Sequence, residues 1–232
     1  MIEAARPDGD RRMAGWSAQF GAALMLATII LSLAVTGADS RLMLDSARAL
    51  ALPPEKVELF RLFLLADCFG YYLPLLLVGG YLWRRLRELG GAIIDVGVLC
   101  LVTYVMLGLA GAGIQLAVFP QLVTAHSSAD SAVRAASETA WLATVWGAQK
   151  GLWLMEGPVM ALWGIVTGLA MRRQGMKCGR MLVTIGMLYG AMFLLFCLRA
   201  EAIEELFVTI GVILLMVWSA RMGFTLLREG AE

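Results

Sequence analysis

The chain has 232 residues, of which 60% are hydrophobic and 16% are charged, and its formal net charge is +1. A water-soluble domain of this size would carry more apolar surface than its core could bury, so the composition excludes an ordinary soluble protein. The charge balance also argues against nucleic acid as a partner, because the basic residues flank apolar segments instead of forming one patch.

Six apolar stretches follow one another along the chain. Each has about 18 residues or more, enough for a helix to cross a hydrocarbon layer of about 30 Å. Backbone groups in lipid must be paired within the protein, and the sequence does not show the alternating strands of an outer-membrane barrel. We therefore predict an all-α, polytopic transmembrane helix bundle that forms a single domain over residues 1–232. Its membrane-spanning helices are predicted at 17–36, 62–83, 92–119, 141–171, 181–198 and 206–227.

The first stretch follows Arg11 and Arg12, as the apolar core of a secretory signal would. Its length of about 20 residues exceeds the range of about 7 to 15 that is typical of signals, so we interpret it as a membrane helix. The connection after it, from Asp39 to Pro53, has apolar residues at helical spacing and Ser40 as a candidate cap. This pattern predicts a short helix that lies in the membrane interface.

The second and third stretches each contain a polar residue inside the apolar run. Asp67 lies early in the second stretch and Gln115 lies late in the third, so in antiparallel helices both belong to the same side of the membrane. We expect Asp67 to form an ion pair with Arg61 or with Lys150. The connection after the third helix, at 121–139, is polar and has only a weak helical pattern.

The fourth stretch differs from the others because it carries Gln149, Lys150 and Glu156 within the apolar run. On a regular helix these residues share one face, about 120° wide, with Trp146 and Trp153. A charge that faces lipid at mid-membrane costs about 2.5 to 3.5 kcal/mol. We therefore predict that this face looks into the bundle or into a water-filled cavity.

Gly157 and Pro158 interrupt the same stretch. Proline removes the amide that would pair with the carbonyl of Leu154, so we predict a helix kink here, next to Glu156. Broken helices of this kind form binding sites in transporters and channels, but many only shape the packing of a bundle. Both interpretations stay open.

The polar residues of the three stretches allow two accounts. In the first, ion pairs hold the helices in register. In the second, a cavity binds a small polar or amphipathic molecule, or a cation. The candidate residues of this cluster are Asp67, Gln115, Trp146, Gln149, Lys150, Trp153 and Glu156.

Glycine pairs at four-residue spacing occur at 147 and 151, at 164 and 168, and at 186 and 190. In lipid, such pairs let helices approach closely, either within the bundle or against another membrane protein or a second copy. The cysteines show no paired spacing and His126 is the single histidine, so the sequence predicts neither a metal site nor a cofactor.

Lys and Arg set the predicted orientation. They number 12 in the two tails and in the second and fourth connections, against 6 in the other three connections. Cytoplasmic segments carry the excess of these residues, so both termini are predicted to face the cytoplasm. Asp95, near the cytoplasmic end of the third helix, is expected to pair with one of the arginines at 84, 85 or 87.

A family resemblance covers roughly residues 55–195. Leu59-Phe60-Arg61, followed by Asp67 and Tyr81, resembles the second-helix pattern of an uncharacterised bacterial family of six-helix integral membrane proteins, a domain of unknown function. A later set is similar to that family in order and spacing: Gly151, Leu152, Gly157, Leu162, Gly168, Arg172, Gly175, Gly186 and Gly190. The resemblance implies a multi-pass protein of the bacterial cytoplasmic (inner) membrane, in which Arg61 and Asp67 form a structural pair. The chain departs from the family pattern by lacking a histidine after the glycine of the fourth helix and by having Lys150, Glu156 and Pro158.

Three functional hypotheses follow. The sequence favours a non-enzymatic accessory or assembly subunit that packs with another membrane protein, or with its own copies, through glycine-rich faces. The alternative is a carrier or receptor for a small solute or an ion, which uses the charged and kinked fourth helix. The third hypothesis is an intramembrane enzyme with Glu156 and Lys150 as acid and base, although no known catalytic signature lies near them.

Overall fold

The computed structural model describes residues 7–37, 39 and 41–229. Over these residues the chain is helical apart from short connections, and no strand occurs among them. The described chain contains six helical spans that are long and apolar enough to cross a membrane, which confirms the predicted all-α, multi-pass architecture. The helices are α1 Pro7–Thr36, α2 Ser46–Leu50, α3 Pro54–Asp67, α4 Leu73–Gly90, α5 Ala92–His126, α6 Ser131–Val145, α7 Glu156–Arg173, α8 Gly179–Cys197 and α9 Glu201–Arg228.

Two of the spans contain more than one helical segment. A π-helical turn, Cys68–Tyr72, joins α3 to α4 in the second span. A second π-helical segment, Trp146–Leu152, lies between α6 and α7 in the fourth span. The helices extend beyond the apolar stretches because polar residues at the ends continue the backbone hydrogen bonding.

The polar connection at 121–139, in which the sequence shows only a weak helical pattern, is mostly helical. Helix α5 continues to His126, and α6 begins at Ser131. The Asp130 carboxylate caps α6 by accepting a hydrogen bond from the Ala132 amide at 2.8 Å. Polarity therefore marked the part of the chain outside the apolar core, but it did not mark the end of the helix.

The predicted short helix after the first span is present, but it is broken into a 3₁₀ turn at Leu42–Leu44 and the helix α2. Its cap is Asp45, whose carboxylate accepts a hydrogen bond from the Arg48 amide at 3.2 Å, while Ser40 lies outside the described residues. The Asp39 carboxylate pairs with Arg48 at 2.9 Å, and this hydrogen bond lowers the pKa of Asp39. The segment packs onto the bundle, where the Trp141 indole donates to the Met43 carbonyl at 2.9 Å.

One end of the bundle holds the first residues of α1 and the last residues of α9, and we call it the terminal end. The Arg11 guanidinium donates to the Leu226 carbonyl at 3.0 Å. Gln19 donates to the Ala220 carbonyl at 2.7 Å. The opposite end, which we call the loop end, carries the connections after α1, α5 and α8.

Ion pairs also join helices at the terminal end. The predicted pairing of Asp95 is confirmed, because Arg87 lies 3.3 Å from its carboxylate. The Trp83 indole donates to the same carboxylate oxygen at 2.7 Å. Arg84 pairs with Asp10. These ion pairs therefore hold neighbouring helices together at the terminal end.

Helices α7 and α8 approach closely through glycines. A Cβ atom on Gly164 would lie 2.9 Å from the Cα of Gly186, and one on Gly168 would lie 2.7 Å from the Gly179 carbonyl oxygen. Gly190 faces Ala161 in the same interface. Two of the three predicted glycine pairs thus serve packing inside the bundle.

Candidate functional site

A cavity of about 460 Å³ lies between the spans in the half of the bundle nearer the loop end. All six spans contribute to its walls. The polar and aromatic side chains that line it are Asp67, Tyr71, Tyr72, Tyr104, Gln149, Lys150, Trp153, Glu156 and Tyr189.

Two carboxyl groups from different spans lie in the wall of this cavity. Asp67 is 8% exposed and Glu156 is 6% exposed. The Tyr72 hydroxyl donates to Glu156 Oε1 at 3.0 Å and is also a hydrogen-bond neighbour of Asp67. Asp67 Oδ2 has no hydrogen-bond partner, and neither does the hydroxyl of Tyr71. The site therefore contains one carboxyl group that accepts a hydrogen bond from Tyr72 and one, on Asp67, with a buried oxygen that has no hydrogen-bond partner.

The π-helical turn after Asp67 explains how Tyr72 reaches this position. In an α-helix, residues five apart lie about 140° apart around the axis. Here the amide of Leu73 bonds to the carbonyl of Cys68, which is the i→i+5 pattern of a π-helix and adds a residue to the turn. The extra residue rotates Tyr72 toward the face that carries Asp67.

The fourth span is interrupted just before Glu156. The amide of Trp153 bonds to the carbonyl of Ala148 at 2.9 Å, again in the π pattern. Two tighter turns follow, in which Glu156 and Gly157 donate to the carbonyls of Trp153 and Leu154 at 3.2 and 3.0 Å. The regular helix α7 begins only at Glu156.

The interruption of regular helix thus lies on the N-terminal side of Gly157 and Pro158, the residues at which a kink was predicted. Pro158 lies in the first turn of α7, where the missing amide of proline does no harm because that amide has no partner within the helix. The Leu154 carbonyl, which we expected to lose its partner, accepts from the Gly157 amide. The irregular segment covers residues 146–155 and ends directly before Glu156.

Two glycines of α5 make room for the aromatic rings of the site. The ring of Tyr72 occupies the space that a Cβ atom on Gly108 would need, and the Trp153 indole does the same at Gly111. The Trp153 indole nitrogen also donates to the Gly108 carbonyl at 3.2 Å. Close approach to glycine backbone thus fixes the position of both rings.

Gln149 and Lys150 reach the cavity from the second π-helical segment. Gln149 donates to Gln115 Oε1 at 3.1 Å, and Gln115 in turn donates to the Gly111 carbonyl at 3.1 Å. Gln115 is fully buried behind the cavity wall. The Lys150 ammonium lies 5.7 Å from the centre of the Phe196 ring.

The structure brings together most of the residues that sequence analysis selected, but not all of them. Asp67, Gln149, Lys150, Trp153 and Glu156 line one cavity, with Gln115 directly behind it.

Trp146 lies outside this cavity, and its side chain is 48% exposed. The prediction placed it on the polar face by assuming a rotation of 100° per residue. The π-helical segment that begins at Trp146 has a different rotation, so that assumption fails there.

The predicted ion pair between Arg61 and Asp67 does not form. Arg61 instead pairs with Glu58 at 3.0 Å, one turn away on the same helix, and its side chain is largely exposed. Within the described residues, neither Asp67 nor Glu156 takes part in an ion pair. An arginine this close to the end of its span reaches water more easily than it reaches a buried carboxylate.

Four tyrosines of the site were missed by sequence analysis. The rings of Tyr72 and Tyr104 lie 5.3 Å apart, and those of Tyr104 and Tyr189 lie 6.2 Å apart. Tyr71 completes the set. The available signal was their depth, because each lies well inside an apolar stretch, whereas membrane tyrosines are enriched at the interfaces.

Comparison with family models, with curated proteins and with solved structures found no match to this chain.

Proposed function

We propose that this multi-pass membrane protein binds a small amphipathic molecule within the bilayer, as a carrier or a receptor. The observation that supports this proposal is the cavity, which joins buried polar groups to an apolar wall. Its volume falls in the range of about 300 to 1,000 Å³ that is usual for small-molecule sites. The proposal replaces the accessory subunit that the sequence favoured.

Much of the apolar part of the wall comes from α1 and α9. Leu33, Val208 and Ile213 line the cavity and are 53%, 37% and 43% exposed. The contacts described above join α1 to α9 at the terminal end, where Gly15 and Gly223 also meet. At the loop end the same helices border the cavity with side chains that suit an acyl or aromatic group. This arrangement supports a ligand with an apolar portion that reaches the cavity from the lipid.

The buried carboxyl groups support binding over a purely structural role. Burying an ionisable group in a membrane is expensive unless it has a partner or a task. The ion-pair account needed Arg61 or Lys150 beside Asp67, but Arg61 pairs with Glu58, and the ion pairs found among the described residues include none to Asp67. Asp67 Oδ2 instead remains without a partner in the cavity wall.

The glycine pairs give less support to the accessory subunit. Gly164 and Gly186 are used between α7 and α8. Only the pair Gly147 and Gly151 is left with open space around it, since a Cβ atom on Gly147 would meet no atom within 4 Å. Small residues on one face do not by themselves identify a partner.

The Lys and Arg count supports an orientation with both termini in the cytoplasm, and the family resemblance supports the bacterial cytoplasmic membrane. In that orientation the loop end faces outward. The cavity would then lie in the outer half of the bilayer and would take its ligand from the outer leaflet or from the space outside the membrane.

A cavity-filling variant tests the proposed function. Ser32 lines the cavity from α1, so Ser32→Trp would occupy part of its volume without altering either carboxyl group. Ile30, two residues away, is 57% exposed and does not line the cavity, which makes Ile30→Trp a matched control. Each protein would be purified in a mild detergent and extracted with organic solvent, and the released molecules would be identified by mass spectrometry.

We expect a small molecule to co-purify with the wild type and with Ile30→Trp, and to be lost from Ser32→Trp. Equal recovery from all three proteins would show that the molecule binds elsewhere. Co-purification of a second polypeptide at fixed stoichiometry, with no small molecule, would contradict the proposal and favour the accessory subunit.

A further inference from the structure

We propose that the cavity takes an organic cation, with its positive group held at Asp67 among the aromatic rings of the site. This inference rests on the proposed function and specifies the chemical class of the ligand. It is carried by an unpartnered buried carboxylate oxygen of Asp67 and by the aromatic rings that line the same cavity.

Asp67 is the anchor because its carboxyl group is the less engaged of the two. Glu156 accepts a hydrogen bond from the Tyr72 hydroxyl at 3.0 Å. Asp67 lines the cavity and is more than nine-tenths buried, and its Oδ2 has no hydrogen-bond partner. An ionised carboxylate in such surroundings is stabilised most by a cation that enters with the ligand.

The rings of the cavity also favour a positive charge. Tyr71, Tyr72, Tyr104, Tyr189 and Trp153 all line it. The face of an aromatic ring attracts a cation within about 6 Å, and aromatic cages are a recurrent means of binding quaternary ammonium groups. Rings held against glycine backbone, as those of Tyr72 and Trp153 are, cannot easily turn away.

The opposite charge is disfavoured. An anion in the cavity would approach Asp67 and Glu156, and like charges at close range in a poorly polarisable site repel strongly. Among the described residues of the cavity wall, Lys150 is the cationic one, and its ammonium lies 5.7 Å from the centre of the Phe196 ring. A bare metal ion would leave most of the volume of about 460 Å³ empty. An organic cation satisfies both the charge and the size of the site.

Two ions of nearly equal size and shape but opposite charge test the inference. Tetraphenylphosphonium and tetraphenylborate would be added separately to the full-length protein in a non-ionic detergent. The unfolding temperature and the tryptophan fluorescence would be followed as each is titrated. We expect a saturable rise in unfolding temperature of several degrees with the phosphonium, and no saturable change with the borate.

Variants then test whether Asp67 binds the positive charge of the probe. Asp67→Asn should weaken phosphonium binding by about 10- to 100-fold, because it removes the negative charge that attracts the phosphonium and keeps the shape of the side chain. Asp95→Asn removes a carboxylate at the terminal end and should leave the affinity unchanged. If Asp67→Asn does not fold, Tyr71 gives a second route. Tyr71→Phe keeps the ring and should preserve binding, whereas Tyr71→Leu should weaken it by about 2- to 30-fold.

The outcomes separate this inference from the proposed function. If a small molecule is lost from Ser32→Trp but both probe ions bind equally, or neither binds, the cavity binds a ligand that is not a cation. If the borate binds in preference, Lys150 dominates the site and the inference is overturned. If no small molecule co-purifies and neither probe ion binds, the proposed function fails as well.

Discussion

Tyr72 is the residue on which the polar core of this protein depends. It lies at the end of the π-helical turn, its ring sits against Gly108, and its hydroxyl donates to Glu156. The ring contact joins the second span to the third, and the hydrogen bond joins the second span to the fourth. Because Glu156 is largely buried, the hydrogen bond from this hydroxyl replaces hydration that its carboxyl group lacks.

Tyr72→Phe should therefore destabilise the protein. It removes the donor to a buried carboxyl oxygen and leaves that oxygen unsatisfied, which costs about 1 to 3 kcal/mol. Tyr81→Phe is a matched control, since the Tyr81 hydroxyl accepts an exposed hydrogen bond from Arg85 at 3.0 Å. Denaturant unfolding in detergent should show a lower free energy of unfolding for Tyr72→Phe and little change in it for Tyr81→Phe. Equal losses would mean that the hydroxyl of Tyr72 has no special role.

Arg61→Ala should have almost no effect, although the sequence predicted a structural pair with Asp67. The pair that does form, with Glu58, is exposed at 54% and 57%, and exposed pairs contribute at most about 1 kcal/mol. The same unfolding measurement checks this. A loss as large as that of Tyr72→Phe would indicate that Arg61 supports the buried carboxyl after all.

At the scale of elements, the two π-helical segments and the glycines of α5 act together. Each π segment rotates the residues beyond it, so that Asp67 and Tyr72 on one span meet Glu156 and Trp153 on another. Helix α5 accepts the resulting rings through Gly108 and Gly111. π-helical turns are rare and occur often at functional sites, which agrees with their position beside this cavity.

Gly108→Ala should disrupt this arrangement. Its Cβ atom would overlap the Tyr72 ring, so the ring or the helix must move, at a cost of about 1 to 3 kcal/mol. Gly113→Ala, on the same helix, would meet no atom within 4 Å and should be neutral or slightly stabilising, since alanine favours helix more than glycine does. Thermal unfolding of both variants compares them directly. Similar effects at the two positions would contradict the close packing of Tyr72.

At the scale of the whole molecule, the bundle has two dissimilar halves. The terminal end is joined by hydrogen bonds between α1 and α9 and by ion pairs such as Arg87 with Asp95. The loop-end half contains the cavity and its buried carboxyl groups. A bundle that is packed at one end and has a cavity nearer the other is suited to taking a ligand from one side of the membrane.

Cysteine labelling would test the orientation of these halves. In a chain whose four native cysteines are replaced by alanine, Ala129→Cys places a thiol at the loop end and Lys177→Cys places one at the terminal end. We expect a membrane-impermeant maleimide to label Ala129→Cys in intact cells, and Lys177→Cys only after the cells are opened. The reverse pattern would place the cavity in the cytoplasmic half.

The sequence by itself determined the class of protein, the six spans and the polar residues that had to be buried. Those properties depend on the length and polarity of each stretch, which are local. The tertiary structure decided which side chains contact one another. Trp146 turned outward, Arg61 paired with Glu58, and four tyrosines joined the site. The physical reason is that a shift of one residue in backbone hydrogen bonding rotates a whole helix face, and packing between spans, which polarity patterns do not record, selects that shift.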